Sequence, residues 1–225
     1  MLFRLFTLAP NPGEGSRSQH RALCFNGRMP RVKGLAFRSV LAALEALEGA
    51  VTVARARELL PPATAKELAA LTANAWYPLE AYADLWVAIQ EATGHRRDLP
   101  RTIGFRAVEL DLKLIHRLAF AALSVATVVS ISLRLFNTYY DTGSARCEVV
   151  SPRRIRVSFT GCRGFTEVMW TELRGAVECF AAKASRSRAN SVVVSGGADG
   201  DADYVLEVHW LATSDQPASD ASSKR

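Results

Sequence analysis

The stretch LRLFNTYYDTGSARCEVVSPRRIRVSF, residues 133–159, determines the predicted fold class, because its apolar repeat changes near Gly143. Before this glycine, apolar residues recur every three or four positions, which is the period of an amphipathic helix. After it, Ile155, Val157 and Phe159 alternate with polar residues, as in a strand with one buried face. A helix and a strand are therefore expected to meet near residue 143, with Gly143 as a left-handed helix stop.

The chain before Gly143 is predicted to be helical. Helices are expected over residues 35–48, 53–60, 64–74 and 78–94, then from about residue 100 with a restart at Ser124. Thr64 and Glu67 have the spacing of a capping box, which satisfies unpaired backbone donors at a helix start. Pro78 suits a first helical turn, because its missing N–H costs nothing there.

The last third of the chain is predicted to form a small sheet and one helix. A hairpin over 147–159, a helix over 166–185 and strands at 192–194 and 204–211 follow in order. Gly175 lies inside that helix, where glycine costs about 1 kcal/mol relative to alanine, so we expect another backbone to pack against it. The predicted fold class is α+β, with N-terminal helices packed on a small antiparallel sheet and β-β-α-β-β order in the C-terminal third.

A chain of this length favours one domain, which we place at residues 29–211. Residues 1–28 are rich in Pro, Gly, Ser and Arg and lack periodicity, so they are predicted to be a disordered or non-native extension, with Met29 as a candidate start. Residues 212–225 are rich in Ser, Ala and Asp and are predicted to be a disordered tail.

Composition narrows the class of partner and the compartment. The net charge of +6 arises from scattered arginines, so we do not expect a nucleic-acid partner. The four cysteines form no CxxC pair and are expected to be reduced thiols in the cytoplasm. The longest apolar run, residues 118–133, is shorter than the roughly 20 residues that a span needs, so no membrane span is predicted.

The sequence predicts no catalytic motif, no cofactor and no metal site. Its histidines form no HExxH pattern. Asp199, Asp201 and Asp203 alternate as in a calcium loop, but Tyr204 and Trp210 occupy the positions that require glycine and glutamate. We therefore expect a protein that is not an enzyme, with dispersed catalytic residues that converge in space as the alternative.

Aromatic residues on the predicted helices are the candidate ligand pocket, since such side chains can line an apolar pocket or a dimer interface. Ordinary core packing is the alternative. A histidine in the same set is either a ligand or base, or a core histidine with a hydrogen-bonded ring. The set is Tyr82, Trp86, His116, Phe120, Phe136, Tyr139 and Trp170.

The polar face of the predicted sheet is the second candidate site. Arg154 and Arg156 on the hairpin, with Glu207 and His209 on the last strand, could bind a protein partner. A solvated polar face is the alternative.

Several segments together resemble a family of roughly 200-residue proteins of unknown function that occur as many paralogues in myxobacteria. The resemblance covers residues 32–210. The segments are VKGLAFRSVL, WYPLEAYADLWVAIQEATG, GFRAVELDLKLIHRL, LRLFNTYYDTG, WTELRGAVE and YVLEVHW. In layout that family is similar to the superfamily of vinyl-reductase-type domains, haem-nitric-oxide-binding domains and Bet3-type subunits of the TRAPP tethering complex.

The resemblance implies helices packed on a twisted antiparallel sheet, a buried apolar pocket or channel, and frequent dimerisation. The haem-binding relatives hold haem propionates with a Tyr-x-Ser-x-Arg signature. None of the five tyrosines of this chain begins that signature. The tethering subunits carry an acylated cysteine in their channel, and no cysteine of this chain is assigned to that position.

The predicted function is a non-enzymatic sensing or adaptor module that binds an apolar small molecule or a protein partner, with a homodimer as the expected assembly. One alternative is a pure interaction protein, such as a tethering subunit or a regulator of a small GTPase. The other is the enzyme with dispersed residues.

Overall fold

The structure is a computed structural model that describes residues 29–115 and 123–211, with the side chains of residues 113–115 excepted. The predicted N-terminal extension, the C-terminal tail, His116 and Phe120 lie outside the described residues, so the predictions that concern them stay predictions. No helix within the described ranges is long and apolar enough to cross a membrane.

Seven helices and six strands form in the described part of the chain. In chain order they are β1 (Arg31–Lys33), α1 (Gly34–Glu48), α2 (Ala50–Glu58), α3 (Pro62–Ala69), β2 (Trp76–Pro78), α4 (Leu79–Thr93), α5 (Leu99–Ile115), α6 (Val125–Tyr139), β3 (Ser144–Ser151), β4 (Arg154–Thr160), α7 (Glu167–Ser185), β5 (Ala189–Gly196) and β6 (Tyr204–Trp210).

The last four strands form one antiparallel sheet in the order β3-β4-β6-β5. On the central strands, Ile155, Val157, Leu206 and Val208 are fully buried, because they alternate toward the helices while polar residues alternate outward. The prediction of an α+β fold with β-β-α-β-β order is therefore confirmed. The third predicted strand is longer than 192–194, since it runs from Ala189 to Gly196.

The junction between helix and sheet differs in detail from the prediction. Ser124 does restart the helix, because its hydroxyl accepts a hydrogen bond from the Thr127 amide at 3.1 Å. The helix ends at Tyr139 and not at Gly143, since Tyr140 is extended and forms a bridge with Val32. Gly143 has the predicted positive φ of 73°, but it lies in the turn that leads into β3.

The predicted capping box at Thr64 is wrong. Pro62 starts α3 two residues earlier, and the Thr64 hydroxyl instead donates to Asp84 on α4 at 2.6 Å. The helix also ends at Ala69 rather than near residue 74, and β2 follows. No sequence pattern predicted the short β1–β2 pair, in which each strand has three residues. Pro78 ends β2 and caps α4 rather than lying in its first turn.

Helices α5 and α7 cross with their backbones in direct contact, as Gly175 predicts. A Cβ at Gly175 would overlap the carbonyl oxygen of Arg101 on α5. A Cβ at Gly104 on α5 would overlap the carbonyl oxygen of Glu172 on α7. Glycine at both positions therefore sets the distance between the two helices.

Gly175→Ala should lower the free energy of unfolding by roughly 2 to 4 kcal/mol, because the added methyl group must push α5 from α7. Gly94→Ala is the matched control. Gly94 has a φ of 72° and open space around it, so only backbone strain of about 1 kcal/mol is expected there. Urea unfolding of the two variants measures the difference, and equal losses would contradict the close crossing.

Candidate functional site

Two glutamates on α7 are buried in very different surroundings. Glu178 is 3% exposed and Glu172 is 8% exposed, and they are both on the side of α7 that carries Gly175. Burial of a carboxylate is expensive unless charges and hydrogen bonds compensate it. The surroundings of each carboxylate therefore show whether it has a structural role.

Residues from three elements compensate the cost of burying the Glu178 carboxylate. Arg101 on α5 donates two hydrogen bonds to its carboxylate, at 2.6 and 2.8 Å. Ser191 on β5 donates a further hydrogen bond, and Arg174 lies 3.5 Å away on the preceding turn of α7. This Glu178 network joins α5, α7 and β5, so its role is structural.

Glu172 has one hydrogen-bonding partner among the described residues. The Tyr82 hydroxyl on α4 donates to its Oε2 atom at 3.0 Å. Burial raises the pKa of Glu172 to about 7, and the hydrogen bond from Tyr82 opposes this rise only in part. Near neutral pH, Glu172 is therefore able to hold or release a proton inside the fold.

Three tyrosines surround this carboxyl group. Burial, followed by the charge of Glu172, raises the pKa of Tyr82 and Tyr140 well above the usual value. Burial, followed by the charges of Asp111 and Glu172, raises the pKa of Tyr139 to about 12. All three hydroxyl groups therefore stay protonated near neutral pH, and Glu172 is the member of this group that titrates there.

The five described residues of the predicted pocket lie in or beside two groups of aromatic rings in the core, which are together called the aromatic layer here. Trp86 packs edge-on against Tyr82 at 6.3 Å, and Trp170 stacks on Phe165 at 4.5 Å. Phe136 is buried and lies 6.2 Å from Phe165. Of the predicted set, Tyr82, Trp86, Phe136 and Trp170 are buried, and Tyr139 is half-buried at its edge.

Two polar atoms in this layer lack hydrogen-bond acceptors. The indole N–H groups of Trp86 and Trp170 are buried and make no hydrogen bond of acceptable geometry within the described residues. The Trp86 indole lies beside the Tyr82 hydroxyl and lowers its pKa, against the larger effect of burial, but its N–H makes no hydrogen bond of acceptable geometry. Buried donors without acceptors are rare in folded proteins.

The four predicted surface residues also come together, on the outer face of the sheet. Arg154 is paired with His209, and Arg156 with Glu207, in the register of β4 with β6. Arg156 donates to Glu207 at 2.6 Å and Arg154 at 3.4 Å. These hydrogen bonds lower the pKa of Glu207, so the two arginines and Glu207 form one ion-paired cluster on this face, with His209 opposite Arg154.

Sequence reasoning missed Glu172, although a signal was present. Glu172 lies three residues after the buried Met169 and three before Gly175, which is the spacing of the inward face of α7. A carboxylate at that spacing is a candidate for burial. Tyr82, which does belong to the predicted pocket, is the residue that binds it.

The structure also has an open cleft of about 360 Å³ far along α7 from Glu172. It lies between α5, the end of α7 and the start of β5. Its lining is Phe105, Ala182, Lys183, Arg186, Ser187, Arg188, Ala189 and Asn190. Lys183 is already paired with Glu109 at 2.6 Å, so Arg186 and Arg188 are the lining cations that could bind an acidic group.

Comparison with solved structures identifies the fold. The chain is similar to an H-NOX protein mutant from K. algicida, with a TM-score of 0.61, 12% identity, and coverage of 80% of this chain and 97% of that one. It is also similar to an oxygen-binding H-NOX domain related to soluble guanylate cyclases, with a TM-score of 0.57, 13% identity, and coverage of 79% and 94%. No family model and no curated protein sequence matches the chain.

The described residues place no histidine in the aromatic layer, and His116 lies outside them. Between the helices and the sheet, Phe165 lies against both Phe136 and Trp170. His95 follows the end of α4 on the surface and His209 is on the outer face of the sheet, so neither described histidine faces this layer. No group of three or more potential metal ligands occurs in the described ranges.

The raised pKa of Glu172 predicts a loss of stability as the pH rises. Below about pH 4.5 both the folded and the unfolded protein hold this proton. Between pH 4.5 and about 7, the unfolded chain releases the proton while the folded chain keeps it, so the free energy of unfolding falls with pH, by about 3 kcal/mol in all.

Urea unfolding at pH 5 and pH 8 measures this loss. Glu172→Gln should remove most of it, because glutamine still accepts from Tyr82 but carries no charge. Glu167→Gln, at an exposed position at the start of α7, is the control. Its stability should depend on pH in the same way as that of the wild type. A Glu172→Gln variant with an unchanged pH dependence would contradict the assignment.

Proposed function

We propose that this chain is a non-enzymatic sensing or adaptor module that binds a small, mainly apolar molecule with one hydrogen-bonding group, without haem. The observation that carries the proposal is the burial of Glu172 with Tyr82 as its one hydrogen-bond partner among the described residues. A protonatable group held in this way at the edge of an aromatic layer is typical of a binding site.

The stability of the fold does not explain why a buried glutamate occupies position 172. Glu178 shows how this protein compensates a buried carboxylate when the role is structural, with Arg101, Arg174 and Ser191 around it. An apolar residue at position 172 would avoid the desolvation cost and would still fill the space between α4 and α7. Glu172 is therefore better explained by an interaction that it makes with another molecule.

The surroundings of Glu172 define the chemistry of that molecule. A protonated Glu172 donates a hydrogen bond and an ionised one accepts, so a ligand with a hydroxyl, carbonyl or amine group is suitable. The indole N–H groups of Trp86 and Trp170 are further donors without acceptors. The rest of the layer is aromatic, which suits an apolar body. H-NOX proteins of similar fold include an oxygen-binding domain, which supports a small-molecule role.

Purified protein that is denatured and extracted should release about one equivalent of one organic compound, identified by mass spectrometry. Tyr82→Phe and Glu172→Gln should weaken its retention about 10-fold, because the first removes the hydrogen bond that holds Glu172 in place and the second removes the ionisable group at position 172. Glu167→Gln is the matched control on α7 and should retain the compound. An empty extract, or stoichiometric haem in the absorption spectrum, would contradict the proposal.

Protein interaction through the outer sheet face is the second candidate function. The observation that favours it is the cluster of Arg154, Arg156, Glu207 and His209, which the structure brings together on a face that no described helix covers. Such a cluster suits a partner with acidic groups, because arginine side chains bind carboxylates well.

The double variant Arg154→Glu, Arg156→Glu should lose any partner that binds the outer sheet face, because it reverses the charge of two neighbouring side chains. Pull-down from cell lysate with the purified full chain is the measurement. Arg55→Glu with Arg57→Glu, two exposed arginines on α2, is the control. A partner that is lost with the control pair as well would show that overall charge matters and not this face.

A further inference from the structure

Strand β5 is an edge strand without the usual protection. It lies at one end of the sheet order, and no described element pairs with its outer edge. From Ala189 to Gly196 it contains no charged residue and no proline, which are the usual means of preventing edge-to-edge pairing. The opposite edge strand, β3, carries Arg146 and Glu148.

Three consecutive valines on β5 are exposed to solvent. Val192, Val193 and Val194 are 58%, 40% and 52% exposed. In a regular strand alternate side chains would turn to the core, but an irregularity in the pairing between Val193 and Ser195 interrupts the alternation here. The edge therefore presents apolar surface together with unpaired backbone groups.

The sequence of this edge is symmetric about Val193. It reads Ser-Val-Val-Val-Ser in both directions from Ser191 to Ser195. If two copies of β5 pair antiparallel with Val193 on the two-fold axis, valine is opposite valine and serine opposite serine. Like pairs of β-branched residues and of hydroxyl residues are favourable across strands.

The charges that flank β5 are complementary in the same arrangement. Arg186 and Arg188 precede the strand and make no side-chain hydrogen bond or ion pair within the described ranges. Asp199 and Asp201 follow it in the turn to β6. With Val193 on the axis, the start of β5 in one copy lies beside its end at Gly196 in the other, so the arginines of each copy lie near the acidic turn of its neighbour.

The cleft of about 360 Å³ lies at this same end of β5. Arg186 and Arg188 line it together with Lys183, which is paired with Glu109, and Phe105 contributes apolar surface. An acidic, glycine-containing turn such as residues 196–203 is an appropriate occupant of a cleft with these cations. In the antiparallel arrangement, the turn of the second copy is the segment that reaches it.

We infer that β5 is the interface of a homodimer, in which two four-stranded sheets join into one sheet of eight strands across a two-fold axis. The occupant of this edge is a second copy of the chain, because the valine segment is self-complementary and the flanking charges match only when the two strands are antiparallel. The features of β5 from which this interface is inferred are separate from the site proposed at Glu172.

Light scattering coupled to size-exclusion chromatography of the full chain tests the interface. The wild type should have twice the chain mass of 24.5 kDa. Val193→Lys should raise the dimer dissociation constant more than about tenfold, because two lysines would face each other at the axis. Val149→Lys places the same charge on the exposed edge of β3 and should stay dimeric.

Charge exchange and crosslinking test the register and do not require Val193→Lys to fold. Arg188→Asp alone should weaken the dimer, and Arg188→Asp with Ala198→Arg should restore it, since opposite charges again meet. Val193→Cys should form an intermolecular disulfide on mild oxidation, because residues opposite each other in antiparallel strands are about 4.5 to 5.5 Å apart between Cα atoms. Val149→Cys should not.

A wild-type chain that is monomeric at about 100 μM would overturn the inference, because this is a concentration at which even weak dimers form. A dimer that survives both Val193→Lys and Arg188→Asp would also overturn it, since the copies would then meet elsewhere. A disulfide with Val149→Cys but not with Val193→Cys would place the contact at β3.

Discussion

The backbone contact between α5 and α7 is the constraint on which the rest of the structure depends. Gly104 and Gly175 allow each helix to lie against a carbonyl oxygen of the other. Helix α7 in turn contacts α4, α6, β5 and β6, so its position relative to α5 fixes the distance between the helices and the sheet. The buried face of α7, with Glu172 and Glu178, is set by the same crossing.

The two glutamates show how one helix serves both the fold and a candidate site. Glu178 is held by Arg101, Arg174 and Ser191, and it joins the helices to the edge strand β5. Glu172 has Tyr82 alone among the described residues, and burial brings its pKa into the neutral range. The difference in compensation, rather than burial as such, separates the functional candidate from the structural residue.

The sequence predicted those features that depend on local periodicity. The change of apolar repeat near Gly143, the helix over α7 and the close contact at Gly175 all follow from the spacing of side chains. It also predicted that Arg154, Arg156, Glu207 and His209 share a face, because strand alternation requires this once β4 and β6 pair.

Features that depend on contacts between distant residues could not be predicted. Thr64 has the local pattern of a helix cap, yet its hydroxyl binds Asp84 on another helix. Strands β1 and β2 are too short to show a repeat, and they form because each is the partner of the other. The Tyr82–Glu172 hydrogen bond joins residues 90 positions apart, so no local pattern reveals it.

The Glu178 network has a mechanical consequence. Arg101 on α5 and Ser191 on β5 both bind the same carboxylate on α7, so the helix pair and the sheet margin are expected to shift together as one rigid unit. A ligand that changes the spacing between Tyr82 and Glu172 would therefore displace the valine edge of β5 as well. Occupancy in the interior would in this way alter the dimer that we infer for β5.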